Sequence, residues 1–156
     1  MKIFLAILLL IPSLSFAETH VENDTSLDCM KIPHVQIGDY PFVNRHYWWI
    51  KIYGGENYLV DVFRIQMTAR GPELNKLDGS YTTTDLKINF GLPALSSRNN
   101  FTLDRVSLEL ITHGNIGSTH SCMIIDDAFT EAKRIHAILL AQYIEDQAKL
   151  KSERKL

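Results

Sequence analysis

Hydrophobic and polar positions change their period along this chain, and the changes mark out its elements. Residues 46–53, His-Tyr-Trp-Trp-Ile-Lys-Ile-Tyr, are rich in aromatic and β-branched side chains. Gly54-Gly55-Glu56 is turn chemistry, and residues 57–69 form a second such run. The pattern predicts a β-hairpin. With a three-residue loop, Ile52 faces Tyr58, Ile50 faces Val60 and Trp48 faces Val62, which gives one fully apolar face. The other face still carries Tyr47, Trp49, Leu59, Phe63, Ile65 and Met67. A sheet with one wet side alternates more cleanly than this. Both faces are therefore expected to be covered, one by the core and the other by more of this chain, a second subunit or a ligand.

Beyond the hairpin, Gly71-Pro72 and Asp78-Gly79 place two breakers in residues 70–79, which read as a loop. Residues 80–90 alternate, with Leu86, Ile88 and Phe90 opposite Tyr81, Thr83, Asp85, Lys87 and Asn89, as a half-exposed strand does. Residues 91–100 are loop. Residues 101–112 read as a fourth strand, with Val106, Leu108 and Leu110 opposite Arg105, Ser107 and Glu109. Gly114 and Gly117 make residues 113–120 a loop, and Pro33, Gly38 and Pro41 leave residues 30–45 irregular with one short strand. From about Ser121 the period turns helical: Cys122, Ile125, Phe129, Ala132, His136, Leu140 and Tyr143 recur every three or four residues. Ser121 is placed to cap this helix, with Asp126 and Asp127 near the positive end of its dipole. The expected fold class is α+β, an antiparallel sheet of four or five strands packed against one long C-terminal helix.

The N-terminal run has a different meaning. Met1-Lys2 is a short positive start, residues 3–11 are unbroken apolar, and Ser15-Phe16-Ala17 offers small residues at a signal-peptidase site. A membrane span takes ~20 apolar residues, so no stable span is expected. The expected organisation is a cleaved signal over residues 1–17, then one domain over 18–156. A polar leader (18–28) opens the domain and a charged tail (149–156) closes it. Removing 17 of the 156 residues leaves 139, enough for one domain with its own core. The expected location is the periplasm or the exterior. There the two cysteines, Cys29 and Cys122, are expected to pair. The competing reading is a nucleophilic Cys122 thiol with His120 two residues before it.

Sixteen Lys and Arg against 18 Asp and Glu give a net charge of −2, which lacks the basic footprint of a nucleic-acid binder. His113, His120, Cys122, Asp126 and Asp127 fall within fifteen residues and are types that bind metals. No C-x-x-C or H-E-x-x-H spacing accompanies them, and a Gly-rich loop, a disulfide and two capping carboxylates account for all five. No metal or cofactor is therefore expected. His136 has no second group to act with as a base and reads as a core histidine with one hydrogen bond. Nucleophile-elbow, phosphate-loop and dinucleotide motifs are missing.

Aromatic residues offer the best binding chemistry, since they are enriched at interfaces. Trp48 and Trp49 point to opposite faces of the hairpin, and Tyr47, Trp49 and Phe63 form the candidate binding surface. The expected function is a small exported non-enzymatic binding protein of envelope accessory, inhibitor or immunity type. Its partner would be a protein or a small apolar ligand. The rival reading is a small periplasmic hydrolase or metal-dependent enzyme using His113, His120, Asp126 and Asp127.

Overall fold

The computed structural model describes residues 24–31, 47–95, 100–113 and 117–153. The expected signal and the short strand expected within 30–45 lie outside these residues. Eight strands follow in chain order: β1 (Ser26–Lys31), β2 (Tyr47–Ile52), β3 (Leu59–Thr68), β4 (Gly71–Thr83), β5 (Lys87–Gly91), β6 (Asn100–Asp104), β7 (Glu109–Thr112) and β8 (Ser118–Ile125). One helix, α1 (Ala128–Glu153), ends the described chain. Each strand pairs antiparallel with its neighbours, and β8 returns to β1 with Cys29 opposite Cys122. The architecture is thus a closed eight-stranded up-and-down barrel with a helix outside it. It is not an open sheet of four or five strands against a helix.

Short turns and tolerated breakers cause the difference. Thr84 N–H donates to Lys87 O at 2.8 Å and Lys87 N–H to Thr84 Oγ1 at 3.1 Å, which folds residues 80–90 into two strands. Asp104 Oδ1 accepts the N–H groups of Val106 (3.0 Å) and Ser107 (2.9 Å), which splits residues 101–112 in the same way. Residues 71–79, read as loop, instead extend β4 to 13 residues. Gly79 serves a close approach, since a Cβ there would stand 2.3 Å from Gly91 O. Residues 118–125, read as loop and then helix, form β8 with His120 and Cys122 buried and Ser121 and Met123 exposed.

The hairpin is present with a longer connection. Ile50 lies opposite Val62, Ile52 opposite Val60 and Trp49 opposite Phe63, two residues from the expected register. A shift of two keeps every side chain on its face, whereas a shift of one would exchange the faces. One face fills the barrel. Leu27, Ile50, Ile52, Val60, Val62, Leu103 and Leu110 are fully enclosed there. Phe90 stacks on Phe101 at 4.9 Å, and Trp48 meets Phe101 edge-on at 5.4 Å. Eight strands make an interior about wide enough for side chains to fill. The disulfide Cys29–Cys122 sits on the closing seam and uses both cysteines.

The second face lies under α1. Ala128, Ala132, Ile135 and Leu139 bury one stripe of the helix against Trp49, Phe63 and Ile65. The two alanines let the helix axis approach the tryptophan. Asp127 caps the helix by accepting Thr130 N–H at 2.7 Å, a role expected of Ser121. The stripe is also rotated from the expected one, so that Phe129 and Leu140 are exposed. His136 Nε2 bonds Pro72 O at 2.9 Å, and Tyr143 O–H donates to Ala69 O at 3.2 Å. Tyr143 packs on Gly71, whose φ of +116° a side chain would resist.

Outside α1 the barrel's outer face is polar around β3 and β4, while Leu59, Ile111 and Met123 are exposed on it. Lys76 pairs with Asp61 and Asp78, each at 2.9 Å, and Tyr53 O–H donates to Asp61 Oδ2 at 2.7 Å. Among the described residues, no helix is long and apolar enough to cross a membrane.

Candidate binding end of the barrel

Trp49 and Phe63 are 1% and 4% exposed, covered by the chain's own helix. The Trp49 and Phe63 part of the expected surface is therefore already occupied by α1, and Trp48 is enclosed in the barrel. The side chain of Tyr47 lies outside the described residues. The histidines and aspartates of the rival reading do not converge. His120 is fully buried within the barrel wall, His113 is exposed at the opposite strand end from Asp126, and Asp127 is spent on the helix cap. Among the described residues, no group of three His, Cys, Asp or Glu side chains is arranged to hold a metal. Cys122 carries no free thiol.

An up-and-down topology places the β2–β3, β4–β5 and β6–β7 connections at one end of the barrel, together with the β8–α1 junction and the residues before β1. Each connection there presents a large apolar side chain to solvent. Tyr58 is 49% exposed, Leu86 58%, Val106 41% and Ile124, at the close of β8, 46%. Leu59 and Met123 flank them and are also exposed. Hydrogen bonds tie these connections in place. The Asp104 turn fixes Val106, Leu108 N–H returns to Asp104 O at 3.1 Å, and Arg105 N–H donates to Leu86 O at 2.8 Å, which ties two connections together. Tyr58 meets Tyr81 edge-on at 5.4 Å, while Tyr81 N–H donates to Tyr58 O.

The charge at this end is one-sided. Asp24, Glu56, Asp85, Asp126 and Asp127 lie in these segments against Arg105 alone. The nearest strand-end lysines are engaged locally: Lys51 Nζ donates to Asp24 O at 3.0 Å, and Lys87 stands opposite Asp104. Thr130 N–H holds the Asp127 carboxyl below its usual range, and the N–H groups of Ser107 and Val106 do the same for Asp104. These carboxylates stay charged well into the acid range. Asp24, Tyr58 and Leu108 also adopt positive φ (66°, 47° and 55°), and all three belong to this end. Strained backbone of this kind gathers at functional loops.

Sequence reasoning missed this end because it assigned Leu86 and Val106 to the apolar faces of continuous strands. A usable signal was present. Asp85 and Asp104 are turn residues, and a turn at either places the neighbouring apolar side chain at a tip. Comparison of the chain with family models, curated proteins and solved structures finds no match.

Proposed function

We propose that this chain is an exported, non-enzymatic binding module that docks a protein partner through the connection end of its barrel. The partner's contact surface is apolar and surrounded by Lys and Arg. The observation that carries this reading is the set of exposed apolar side chains at one end of the barrel, Tyr58, Leu86, Val106 and Ile124, in segments that also hold five acidic residues. Clustered exposed apolar side chains mark interaction sites. Projecting tips suit the surface of a macromolecule, since a small ligand needs a concavity to bury it. The acidic excess supplies steering and disfavours acidic partners. Export accords with the apolar run at residues 3–11 and with the disulfide, which is compatible with an oxidising compartment.

The test uses the mature chain and its partner as a purified pair. Leu86→Asp and Val106→Asp should each weaken binding about tenfold or more, as loss of a central apolar anchor does. Both lie at turn tips, so circular dichroism should be unchanged. Association should also slow as salt rises. Unchanged affinity in both variants, or a partner surface that is acidic, contradicts the proposal.

A further inference from the structure

We infer that a hollow on the outer face of β4, β5 and β6 is a separate binding site for a neutral saccharide. The hollow has a volume of about 470 Å³ and lies on the part of the barrel that α1 does not cover. Six side chains that can hydrogen-bond line it: Ser80, Thr82, Asn89, Asn100, Thr102 and His113. Register explains why they meet. Ser80 lies opposite Gly91 and Gly91 opposite Asn100, while Thr82 lies opposite Asn89 and Asn89 opposite Thr102. Two cross-strand rows thus run side by side. Gly91 interrupts one of them, so the surface sinks where a side chain would otherwise stand. Tyr81, Phe90 and Phe101 complete the lining from the barrel side.

The polar groups are ordered among themselves. Thr102 O–H donates to Asn89 Oδ1 at 2.9 Å, and Thr102 Oγ1 lies 2.9 Å from His113 Nε2. With its own proton committed to Asn89, Thr102 accepts from His113 Nε2–H. The hydroxyl is therefore not poised for transfer to the histidine, and the arrangement is one for binding, not for nucleophilic attack. The amide nitrogen of Asn89 is left as a donor, beside the hydroxyls of Ser80 and Thr82 and the amide of Asn100.

The ligand class follows from what the lining contains. Among the described residues no Asp, Glu, Lys or Arg lines the hollow, so neither a metal cation nor a phosphate meets its usual counter-charge from them. Outward aliphatic walls, which a lipid tail needs, are also missing among the described lining residues. A mixture of hydroxyls and amides that both donate and accept matches the alternating hydroxyls of an uncharged sugar. The site lies on the barrel flank, apart from the apolar tips, and does not depend on the docking surface proposed above.

Gly91 supplies the test. A Cβ at this position would find Asn100 Oδ1 at 3.4 Å as its nearest neighbour, an ordinary contact, so Gly91→Val can fill the hollow without disturbing the wall. Thr102→Val removes the central hydroxyl with a residue that suits a strand. Amide resonances of the ¹⁵N-labelled mature chain are followed during titration with glucose and with N-acetylglucosamine, with inorganic phosphate as a charged counter-probe. Saturable shifts confined to residues around Asn89, Asn100, Thr102 and His113 are expected with at least one sugar, and none with phosphate. Affinity should fall about tenfold or more in both variants. No saturable shift with either sugar at tens of millimolar overturns the inference. A phosphate response at the same residues, or undiminished sugar binding by folded Gly91→Val, overturns it as well.

Discussion

Opening the Cys29–Cys122 bridge should bring the barrel close to the limit of its stability. The bridge joins residues 93 apart in sequence that stand directly opposite each other where β1 meets β8. In the chain-entropy model a closed loop of that size restricts the unfolded chain by about 16 cal/mol/K, or about 4.6 kcal/mol at 25 °C. A domain of this size has ~5–15 kcal/mol of stability in total, so the loss is a third or more of it. Cys29→Ala/Cys122→Ala, with a smaller side chain at two enclosed positions, should lose about this much or slightly more. Urea unfolding of the oxidised protein, the reduced protein and the double variant measures the difference directly. Hydrogen exchange adds the location: the β1–β8 amides should lose protection before those of β3–β4, whose ladder runs from Leu59–Ser80 to Thr68–Gly71 without the bridge. A stability loss under about 1 kcal/mol, or equal loss of protection around the barrel, would refute the reasoning.

Two further predictions test the helix. Leu139→Ala, at a position with 1% exposure against the outer face of β2 and β3, should cost ~2–5 kcal/mol in urea unfolding. Its effect should not add simply to that of Trp49→Ala, because both empty the same cluster. The second concerns Asp28, on the outer face of β1 opposite Trp49. Burial pushes its carboxyl above the usual range, Glu131 adds to this, and the Trp49 indole and Arg134 oppose it. A raised folded pKa means a contribution present in full below the unfolded value and lost as pH rises through the folded one. The stability of Asp28→Asn relative to the natural chain should therefore rise with pH across that window. Unfolding measured between mildly acidic and neutral pH checks the sign, and a variant that loses ground as pH rises would contradict it.

Periodicity alone made part of this architecture legible. The β2–β3 hairpin and a C-terminal helix follow from local pattern, and the pairing of the two cysteines from their number and the expected oxidising compartment. The expected second cover is present in part: α1 covers Trp49, Phe63 and Ile65, while Leu59 on the same face stays exposed. Barrel closure was not legible, because it depends on β8 reaching β1 across most of the chain. The β8 segment Ser-Thr-His-Ser-Cys-Met-Ile-Ile also matches the helical spacing of the stripe that follows it. Strand number was lost at two turns short enough to leave the alternation looking continuous, one at Asp85-Leu86 and one at residues 105–108. The same loss hid the candidate binding end, since Leu86 and Val106 fit an apolar strand face until the turns are recognised. Trp49 looked like an interface residue for the reason that it is one, but the interface is with α1 of the same chain.

The most direct test of the docking proposal is site-specific photocrosslinking in intact cells that make the protein. A photoreactive residue is placed in turn at positions 58, 86, 106 and 124 at the connection end. Control positions are Lys76 and Ser121 on the barrel's outer wall and Gln142 on α1, none of which is buried. One protein should be captured from the connection-end positions and from none of the controls, with Lys or Arg beside its crosslinked residue. Capture of the same protein from the controls with equal yield, or a crosslinked surface dominated by Asp and Glu, would contradict it.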